Sequence, residues 1–279
     1  MSKDQILLLV LIIVGFSYSC SQSPSNQEAA KEEWLQLYNG KTMEGWSPKI
    51  SGFKEGENYK NTFMVEGGFL SCNYSEYDSF ANEFGHLFYI KEKFSHYRLR
   101  TKYRFVGEQV KNGPGWAYRN NGLMLHAQSI ESMGIDQDFP NSLEMQLLAG
   151  KGEGTGERPT GNLCTPGTNV YLQDTLFTPH CISSSSKTYH DDVWVNAEAV
   201  VYGDSIGHHI IEGDTVLTFT KPTLDDGTPV LEGYITIQAE SHPTQFEKIE
   251  ILNLCGCMDP KAKNYKSYYI KDDPDKCEY

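Results

Sequence analysis

Short runs of alternating apolar and polar residues recur along most of the chain and predict β-strands. The clearest run is NSLEMQLLAG at residues 141–150, where apolar side chains alternate with an acid and an amide. Its apolar positions are Leu143, Met145 and Leu147, and the polar positions between them are Glu144 and Gln146. A period of two places these two sets on opposite faces of one strand. We expect the apolar face to be buried and the polar face to line a site.

Similar runs, separated by Gly, Asn and Pro, predict a chain made of strands. They are Thr62–Val65, Gly68–Cys72, His86–Tyr89, Tyr97–Phe105, Gly122–Gln128, Ser142–Leu148, Val193–Tyr202, Ser205–Ile211, Thr215–Phe219, Gly233–Glu240 and Phe246–Leu252. No helical period persists for long, so the pattern indicates an all-β sandwich or barrel. Residues 150–162 form a long glycine-rich loop, and loops of this length tend to be functional or mobile.

The start of the chain is predicted to direct export. Residues 1–19 have the proportions of a signal peptide, with an apolar run from Ile6 to Val14. The following FSYSC resembles the lipobox of bacterial lipoproteins, which implies cleavage before Cys20 and lipidation of Cys20. An ordinary secretory signal, with Cys20 as a bystander, is the alternative. We therefore expect a lipid-anchored protein of the bacterial cell envelope, facing the periplasm or on the outer membrane.

The rest of the chain divides by composition. Residues 20–33 are polar and are predicted to be a flexible tether. Residues 34–254 are predicted to form the β-sandwich, and residues 255–279 a small acidic tail. The formal net charge of −13 argues against nucleic acid as a partner. It also argues against binding to an anionic membrane surface, so membrane contact is expected through the lipid anchor only.

Cysteine usage predicts disulfides. The chain has seven cysteines, and lipidation of Cys20 would leave an even number for pairing in an exported protein. We expect Cys164 and Cys181 to close a loop, and Cys277 to pair with either Cys255 or Cys257.

Polar faces of several strands are candidates for one shared site. Across their runs, period-two alternation groups Met124, His126 and Gln128, and it groups Thr236, Gln238 and Glu240. His242 follows closely. If these strands share a concave sheet with the strand of Glu144, the polar side chains converge, and Trp194 offers an apolar platform for a ligand.

Motifs in order along the chain resemble one family. They are LYNGKTMEGW, FMVEGGFLSC, NNGLMLHAQ, FPNSLEMQLLAG, WVNAEAVVYGDSIGHHIIEGDTV and GYITIQAESHPTQFEKIEIL. Their order and spacing resemble the 3-keto-disaccharide hydrolase domain family over about Trp34–Asn253. The resemblance implies a concanavalin A-like jelly-roll sandwich. It also implies cleavage of glycosides or oligosaccharides whose C3 hydroxyl has been oxidised to a ketone, by hydrolysis or by elimination.

The ketone determines which side chains such an enzyme needs. It acidifies the proton on C2, so one base, one group that stabilises an enolate oxygen and one proton donor suffice. The catalytic candidates are Glu144, His126 and His242, and the substrate-binding candidates are Gln146, Gln238, Glu240 and Trp194. A divalent metal on His126, Glu144 and His242 is an open alternative. Double displacement needs a second carboxylate, and the strand of Glu144 lacks one.

Two other possibilities follow from the sequence. The fold also hosts lectins, so a non-catalytic carbohydrate-binding or envelope interaction lipoprotein is the alternative function. The tail, GCMDPKAKNYKSYYIKDDPDKCEY, resembles a short Cys-containing module at the ends of envelope proteins. Its oxygen ligands for Ca²⁺ would be Asp259, Asn264, Asp272 and Asp273. A disulfide-stapled acidic appendage without metal is the interpretation we favour.

Overall fold

The computed structural model describes residues 31–152 and 154–279. The predicted signal peptide and Cys20 therefore lie outside the described residues. Within the described part nineteen strands form, and they are β1 (Leu35–Gln36), β2 (Trp46–Ile50), β3 (Phe63–Glu66), β4 (Phe69–Cys72), β5 (Gly85–Phe94), β6 (His96–Phe105), β7 (Asn120–Ala127), β8 (Leu143–Leu148), β9 (Asn162–Cys164), β10 (Thr168–Leu172), β11 (Thr175–Phe177), β12 (Cys181–Ile182), β13 (Val195–Tyr202), β14 (Ile206–Ile211), β15 (Asp214–Leu224), β16 (Gly233–Ala239), β17 (Thr244–Asn253), β18 (Cys255–Gly256) and β19 (Lys271–Asp272). Short 3₁₀ helices cover Tyr59–Asn61, Ile130–Ser132 and Pro274–Lys276.

Two antiparallel sheets carry the fold. The larger sheet has ten strands in the order β11-β10-β15-β14-β13-β6-β17-β4-β3, with β1 paired to β17. The smaller sheet has seven strands in the order β12-β9-β8-β7-β16-β5-β2. The sheets pack face to face over a shared apolar core. This architecture confirms the predicted all-β sandwich of the concanavalin A-like, jelly-roll type.

Alternation along the strands builds the core. In β6 every second residue is buried, as expected for a strand with one face inward. Leu143, Met145 and Leu147 of β8 are fully buried, which confirms that the apolar face of this strand points into the core. A slip of one residue would place Glu144 there instead, so this burial fixes the register of β8.

The opposite face of the smaller sheet points away from the core. Residues that pair across neighbouring antiparallel strands have side chains on the same face. Glu144 pairs with Cys164 on one side and with Met124 on the other. Met124 in turn pairs with Thr236 of β16. The outer face of this sheet therefore carries Glu144, and it is the face on which a site can form.

Both disulfides agree with the sequence predictions, and the structure decides which cysteine is the partner of Cys277. Cys164 and Cys181 are joined across β9 and β12, as predicted. Cys277 is joined to Cys257, so Cys255 is not its partner. Cys72 and Cys255 are free thiols. Strand pairing places Cys255 against Lys271 at the edge of the tail, whereas Cys257 is fully buried where Cys277 reaches it.

The tail, residues 255–279, forms a small two-stranded parallel sheet of its own. Its predicted calcium ligands bond to the chain itself. Asp259 accepts from the Lys261 amide and from the Tyr279 hydroxyl, and Asp272 accepts from the Met258 amide. In the part of the chain that the structure describes, no cluster of metal-binding side chains occurs in the tail. Across all the residues that the structure describes, no helix is long and apolar enough to cross a bilayer.

Candidate functional site

A cavity of about 350 Å³ lies on the outer face of the smaller sheet. Glu144 and Gln146 of β8 form part of its floor. The residues that line it are Trp116, Asn120, Phe139, Glu144, Gln146, Cys164, Pro166, His180, Cys181 and Glu240. The polar face of β8 therefore lines a partly open cavity, and the Cys164–Cys181 disulfide is part of its lining.

Two buried carboxylic acids lie together in this cavity. Glu144 is 4% exposed and Glu240, just beyond the end of β16, is 2% exposed. Oε1 of Glu144 and Oε2 of Glu240 have no hydrogen-bond partner among the described residues. Burial raises the pKa of Glu144 to about 8, because desolvation disfavours the charged form. Burial and the nearby Glu144 charge together raise the pKa of Glu240 well above its ordinary value.

This pair supplies the second carboxylate that the strand of Glu144 lacks. The sequence analysis placed Glu240 among the substrate-binding residues expected to converge with Glu144, and not among the catalytic ones. The register of β8, β7 and β16 brings the two acids together. Because an ionised Glu144 further disfavours ionisation of Glu240, the pair can hold one base and one acid at the same pH.

Gly122 makes room for the Glu144 carboxyl group. It faces Gln146 in the strand pairing of β7 with β8. A Cβ atom at this position would lie 2.6 Å from Oε1 of Glu144 and 2.8 Å from its Cγ. The Glu144 side chain therefore lies over the glycine, towards β16.

Replacing Gly122 by alanine is expected to displace the Glu144 carboxyl group and to lower activity. The added methyl group requires the acid to move, and a shift of about 1 Å in a catalytic group can reduce turnover roughly 100-fold. Steady-state kinetics would measure the loss. Gly134→Ala is the matched control, because its Cβ would meet nothing closer than 3.7 Å. Equal activity of both variants would show that turnover does not depend on the exact position of the Glu144 carboxyl group.

A partly buried cation lies beside the carboxylate pair. Arg158 comes from the glycine-rich loop and donates to the carbonyl oxygens of Ala149 at 2.5 Å, Arg119 at 3.0 Å and Trp116 at 3.1 Å. Burial lowers its pKa to about 10, and the charge of Glu240 opposes that shift. Arg158 therefore ties the loop that carries Trp116 to the sheet. The sequence pattern missed it, because no periodic signal marks a residue in a loop.

His126 does not belong to this site. Three observations place its ring elsewhere: it packs edge-on against the core residue Tyr97 at 5.6 Å, its Nε2 lies 3.3 Å from the Ser95 carbonyl, and it lines a different cavity. The cause is a β-bulge, since His126 has φ 49° and the pairing of β7 with β16 shifts register there. The prediction that His126 shares a face with Met124, and thus with Glu144, is wrong.

His242 is close to the site but does not line its cavity. Its ring is fully buried between Tyr118, at 5.0 Å, and Phe105, at 5.7 Å. Burial, with the charges of Arg119 and Arg158, lowers its pKa to about 4. His242 is therefore neutral near pH 7, packed between two rings that do not line the cavity.

Gln146, Gln238 and Trp194 have different surroundings. Gln146 lines the cavity and accepts a hydrogen bond from Asn162 at 3.1 Å. Gln238 is fully buried on the same face of the sheet, and neither atom of its amide has a partner among the described residues. Trp194 lies away from the cavity, beside Arg104 and Phe69 of the larger sheet. The prediction of Trp194 as a platform is wrong, because this residue directly precedes β13, which belongs to the other sheet.

Trp116 is the exposed tryptophan of the site. It lies in the loop before β7, is 54% exposed and stacks on Phe84 at 5.7 Å. Phe139 packs against the same Phe84. Together these rings form an aromatic wall of the cavity. In the sequence Trp116 follows a Gly-Pro-Gly turn. This turn does not indicate which part of the sheet the tryptophan lies over.

The predicted set of metal ligands does not form. His126 lies apart from Glu144, so it cannot complete a site with Glu144 and His242. Among residues 31–152 and 154–279, the one group of three potential ligands is Cys164, His180 and Cys181. Cys164 and Cys181 are bonded to each other in a disulfide. Neither is therefore a thiolate that could bind a metal ion.

Comparison with solved structures found proteins of similar fold. One is a glycosyl hydrolase candidate from Parabacteroides distasonis ATCC 8503, at 17% identity and a TM-score of 0.48, covering 79% of this chain and 93% of that chain. Another is the carbohydrate binding module CBM66 from Bacillus subtilis, at 9% identity and a TM-score of 0.45, covering 75% and 96%. A comparison with the curated proteins gave no match.

A family model gives the clearest relationship. The model of the 3-keto-alpha-glucoside-1,2-lyase-like domain matches residues 33–252. The match spans both large sheets and every residue that lines the cavity, and it confirms the resemblance predicted from the sequence motifs. The chain therefore belongs to the 3-keto-alpha-glucoside-1,2-lyase-like domain family.

Proposed function

We propose that the protein cleaves glycosides of 3-keto-glucose in the cavity above β8. The observation that carries this proposal is the pair of buried acids, Glu144 and Glu240, on a floor otherwise made of amides and apolar groups. Family membership supports the substrate class. In this reaction Glu144 is the base that acts on C2, and Glu240 is the acid that acts on the leaving oxygen.

The reaction proceeds as an elimination. Glu144 removes the proton from C2, and the electron pair of that C–H bond moves into the C2–C3 bond as the C3 carbonyl becomes an enolate. The enolate then reforms the ketone, a double bond forms between C1 and C2, and the C1–O bond breaks. Glu240 donates its proton to the departing oxygen. Later addition of water to the double bond gives net hydrolysis.

The protonation states suit these two roles. With a pKa of about 8, the ionised form of Glu144 is a stronger base than an exposed carboxylate, and the ionised fraction grows as the pH rises towards that value. The Glu144 charge helps to keep Glu240 protonated, as a general acid requires. Neither group needs a metal ion as a partner for these proton transfers. A chelator tests whether a metal ion assists in stabilising the enolate.

Trp116 is proposed as the platform for the sugar ring. We expect Trp116→Ala to raise KM roughly 2- to 10-fold with little change in kcat, since ring stacking is worth roughly 0.5–1.5 kcal/mol. Trp194→Ala is the matched control, because Trp194 is a partly exposed tryptophan on the other sheet. Steady-state kinetics on a 3-keto-glucoside distinguish the two. Equal effects of both changes would exclude Trp116 as the platform.

A second candidate function is carbohydrate binding without catalysis. The aromatic wall of Trp116 and Phe139 favours it, because such surfaces bind sugars with or without chemistry. In that case Glu144→Gln would retain binding and no substrate would turn over. The buried acids favour the enzyme, since a binding site gains little from two unpartnered carboxyl groups.

The test is incubation of the purified protein with 3-keto-trehalose, 3-keto-sucrose and a 3-keto-β-glucoside, each with and without chelator. We expect release of the aglycone from at least one of them and none from the unoxidised sugars. Binding of these sugars without release would favour the second function. Loss of activity with chelator, restored by one added divalent ion, would identify a metal requirement.

Export and anchoring through Cys20 are part of the proposal. The two disulfides within the described residues support an oxidising compartment such as the bacterial cell envelope. One joins β9 to β12 at the edge of the smaller sheet, and the other closes the tail. The substrate would then be a glycoside outside the cytoplasm.

A further inference from the structure

A second group of buried polar side chains lies beside the carboxylate pair. His86 of β5 and Gln238 of β16 are directly opposite each other in the strand pairing, and both are fully buried. Neither nitrogen of His86 and neither amide atom of Gln238 has a hydrogen-bond partner among the described residues. Buried polar groups in proteins almost always have partners, so four such atoms at one place need an explanation.

Strand register places this pair on the same face as Glu144. Thr236 pairs with Met124 on one side and with Phe88 on the other, and Met124 pairs with Glu144. Gln238 lies two residues after Thr236, and His86 lies two residues before Phe88. A period of two therefore puts all of these side chains on the outer face of the sheet.

The pair adjoins the catalytic cavity on two sides. Glu240 lies two residues beyond Gln238 and lines the cavity. The ring of Phe139, which also lines the cavity, packs edge-on against His86 at 5.8 Å. Gly122 lies on β7, between β8 and β16, and the Glu144 carboxyl group fills the space over it on the side towards Gln238. Phe139 is thus the partition between the cavity and the pair.

The pair has hydrogen-bond donors suited to an oxygen that gains negative charge. A glutamine amide donates two N–H groups, and a neutral imidazole donates one. Burial and the nearby Lys49 lower the pKa of His86 to about 3, which keeps the ring neutral. Lys49 is itself buried, with its Nζ bound to the carbonyl oxygens of Ile50 and Ile135. Its charge adds a positive field on the far side of His86.

We propose that His86 and Gln238 receive the C3 oxygen of the sugar beneath Phe139 and stabilise the enolate, an assignment that rests on the proposed function. When the C2 proton moves to Glu144, the negative charge develops on this oxygen, and the two donors meet it in a site closed to water. Phe139 moves aside to admit the C3 edge of the ring. A sugar with a hydroxyl at C3 cannot form the enolate, so the pair also contributes to selection of the oxidised substrate.

The test removes each donor separately and measures two reactions. His86→Phe and Gln238→Leu keep a similar volume, and we expect each to lower kcat on a methyl 3-keto-glucoside about 100-fold, as for loss of one oxyanion donor. His86→Gln retains a donor and is expected to recover part of that loss. Thr236→Val, on the same strand and face, is the matched control with unchanged kcat.

The second reaction isolates enolate formation. 1,5-Anhydroglucitol oxidised at C3 has no leaving group at C1, and proton NMR in D₂O reports exchange of its C2 proton. We expect the wild-type protein to catalyse this exchange and the His86 and Gln238 variants to lose it in proportion to kcat. Melting curves accompany each variant, and removal of unpartnered buried groups should leave the melting temperature equal or higher.

Each outcome separates this inference from the proposed function. If the wild-type protein cleaves 3-keto-glucosides and the donor variants match it in both reactions, the inference is overturned and the function stands. If the wild-type protein neither cleaves nor exchanges, the function itself fails. Should a variant not fold, a crystal structure of the wild-type protein with the oxidised anhydroglucitol decides: a C3 oxygen directed away from His86 and Gln238 overturns the assignment.

Discussion

Replacing Glu144 by glutamine is expected to abolish cleavage of 3-keto-glucosides and to make the folded protein more stable near neutral pH. The amide cannot accept the C2 proton, so turnover should fall by roughly 100- to 10,000-fold, the range for loss of a general acid or base. Stability should rise because the glutamine removes a buried acid whose ionisation the fold disfavours. Activity and stability therefore change in opposite directions at this residue.

The pH dependence of this stability change has a definite sign. Burial raises the pKa of Glu144 from 4.5 to about 8, so the folded state holds the proton more tightly than the unfolded state. Between these two values the unfolded chain is ionised while the folded chain is protonated. The wild-type protein should thus lose about 1.4 kcal/mol of stability per pH unit across this window, relative to the glutamine variant.

Urea unfolding of both proteins at several pH values measures this difference. We expect the two to be similar near pH 4 and to diverge steadily up to about pH 8. Glu131→Gln is the control, because Glu131 is exposed on the segment above the sheet and should change neither activity nor the pH dependence. A Glu144→Gln variant that still cleaves the substrate, or that unfolds more readily at pH 7, would contradict the role assigned to this acid.

Replacing Glu240 by glutamine is expected to have an effect that depends on the leaving group. An alkoxide needs a proton as it departs, whereas 4-nitrophenolate leaves without one. We therefore expect the variant to lose about 100-fold or more on a methyl 3-keto-glucoside. On the 4-nitrophenyl 3-keto-glucoside the loss should be far smaller, because only orientation of the substrate is affected.

Parallel kinetics of the wild-type and Glu240→Gln proteins on these two substrates decide the matter. Glutamine has almost the same shape as glutamate, so the substitution preserves the packing around the buried Glu240 side chain. Equal losses on both substrates would show that Glu240 does not protonate the leaving oxygen. In that case Glu240 would be a buried neighbour of Glu144 without a part in proton transfer.

The sequence predicted the strand face of Glu144 because alternation is a local property. Leu143, Met145 and Leu147 are buried as the period of two requires, and the acid points to the other side. The same reasoning failed for His126. A bulge adds one residue to β7 and reverses the side chain, and no residue type in GLMLHAQ marks that change.

Other site residues depend on which strands become neighbours. His86 and Glu240 reach the Glu144 face only because β16 lies between β5 and β7, an order that follows from packing of the whole sandwich. Trp116 and Arg158 lie in loops, where no periodicity exists to be read. Sequence motifs can identify the family, as they did here, but the position of a loop residue over a sheet requires the fold.

The central claim is that Glu144 removes the proton next to a ketone, and proton NMR in D₂O tests it most directly. The wild-type and Glu144→Gln proteins are each incubated with methyl 3-keto-glucoside and with methyl glucoside. We predict that only the wild-type protein releases methanol, that it does so only from the oxidised sugar, and that the C2 proton is lost in that reaction. Cleavage of the unoxidised glucoside at a comparable rate, or cleavage by the glutamine variant, would contradict the claim.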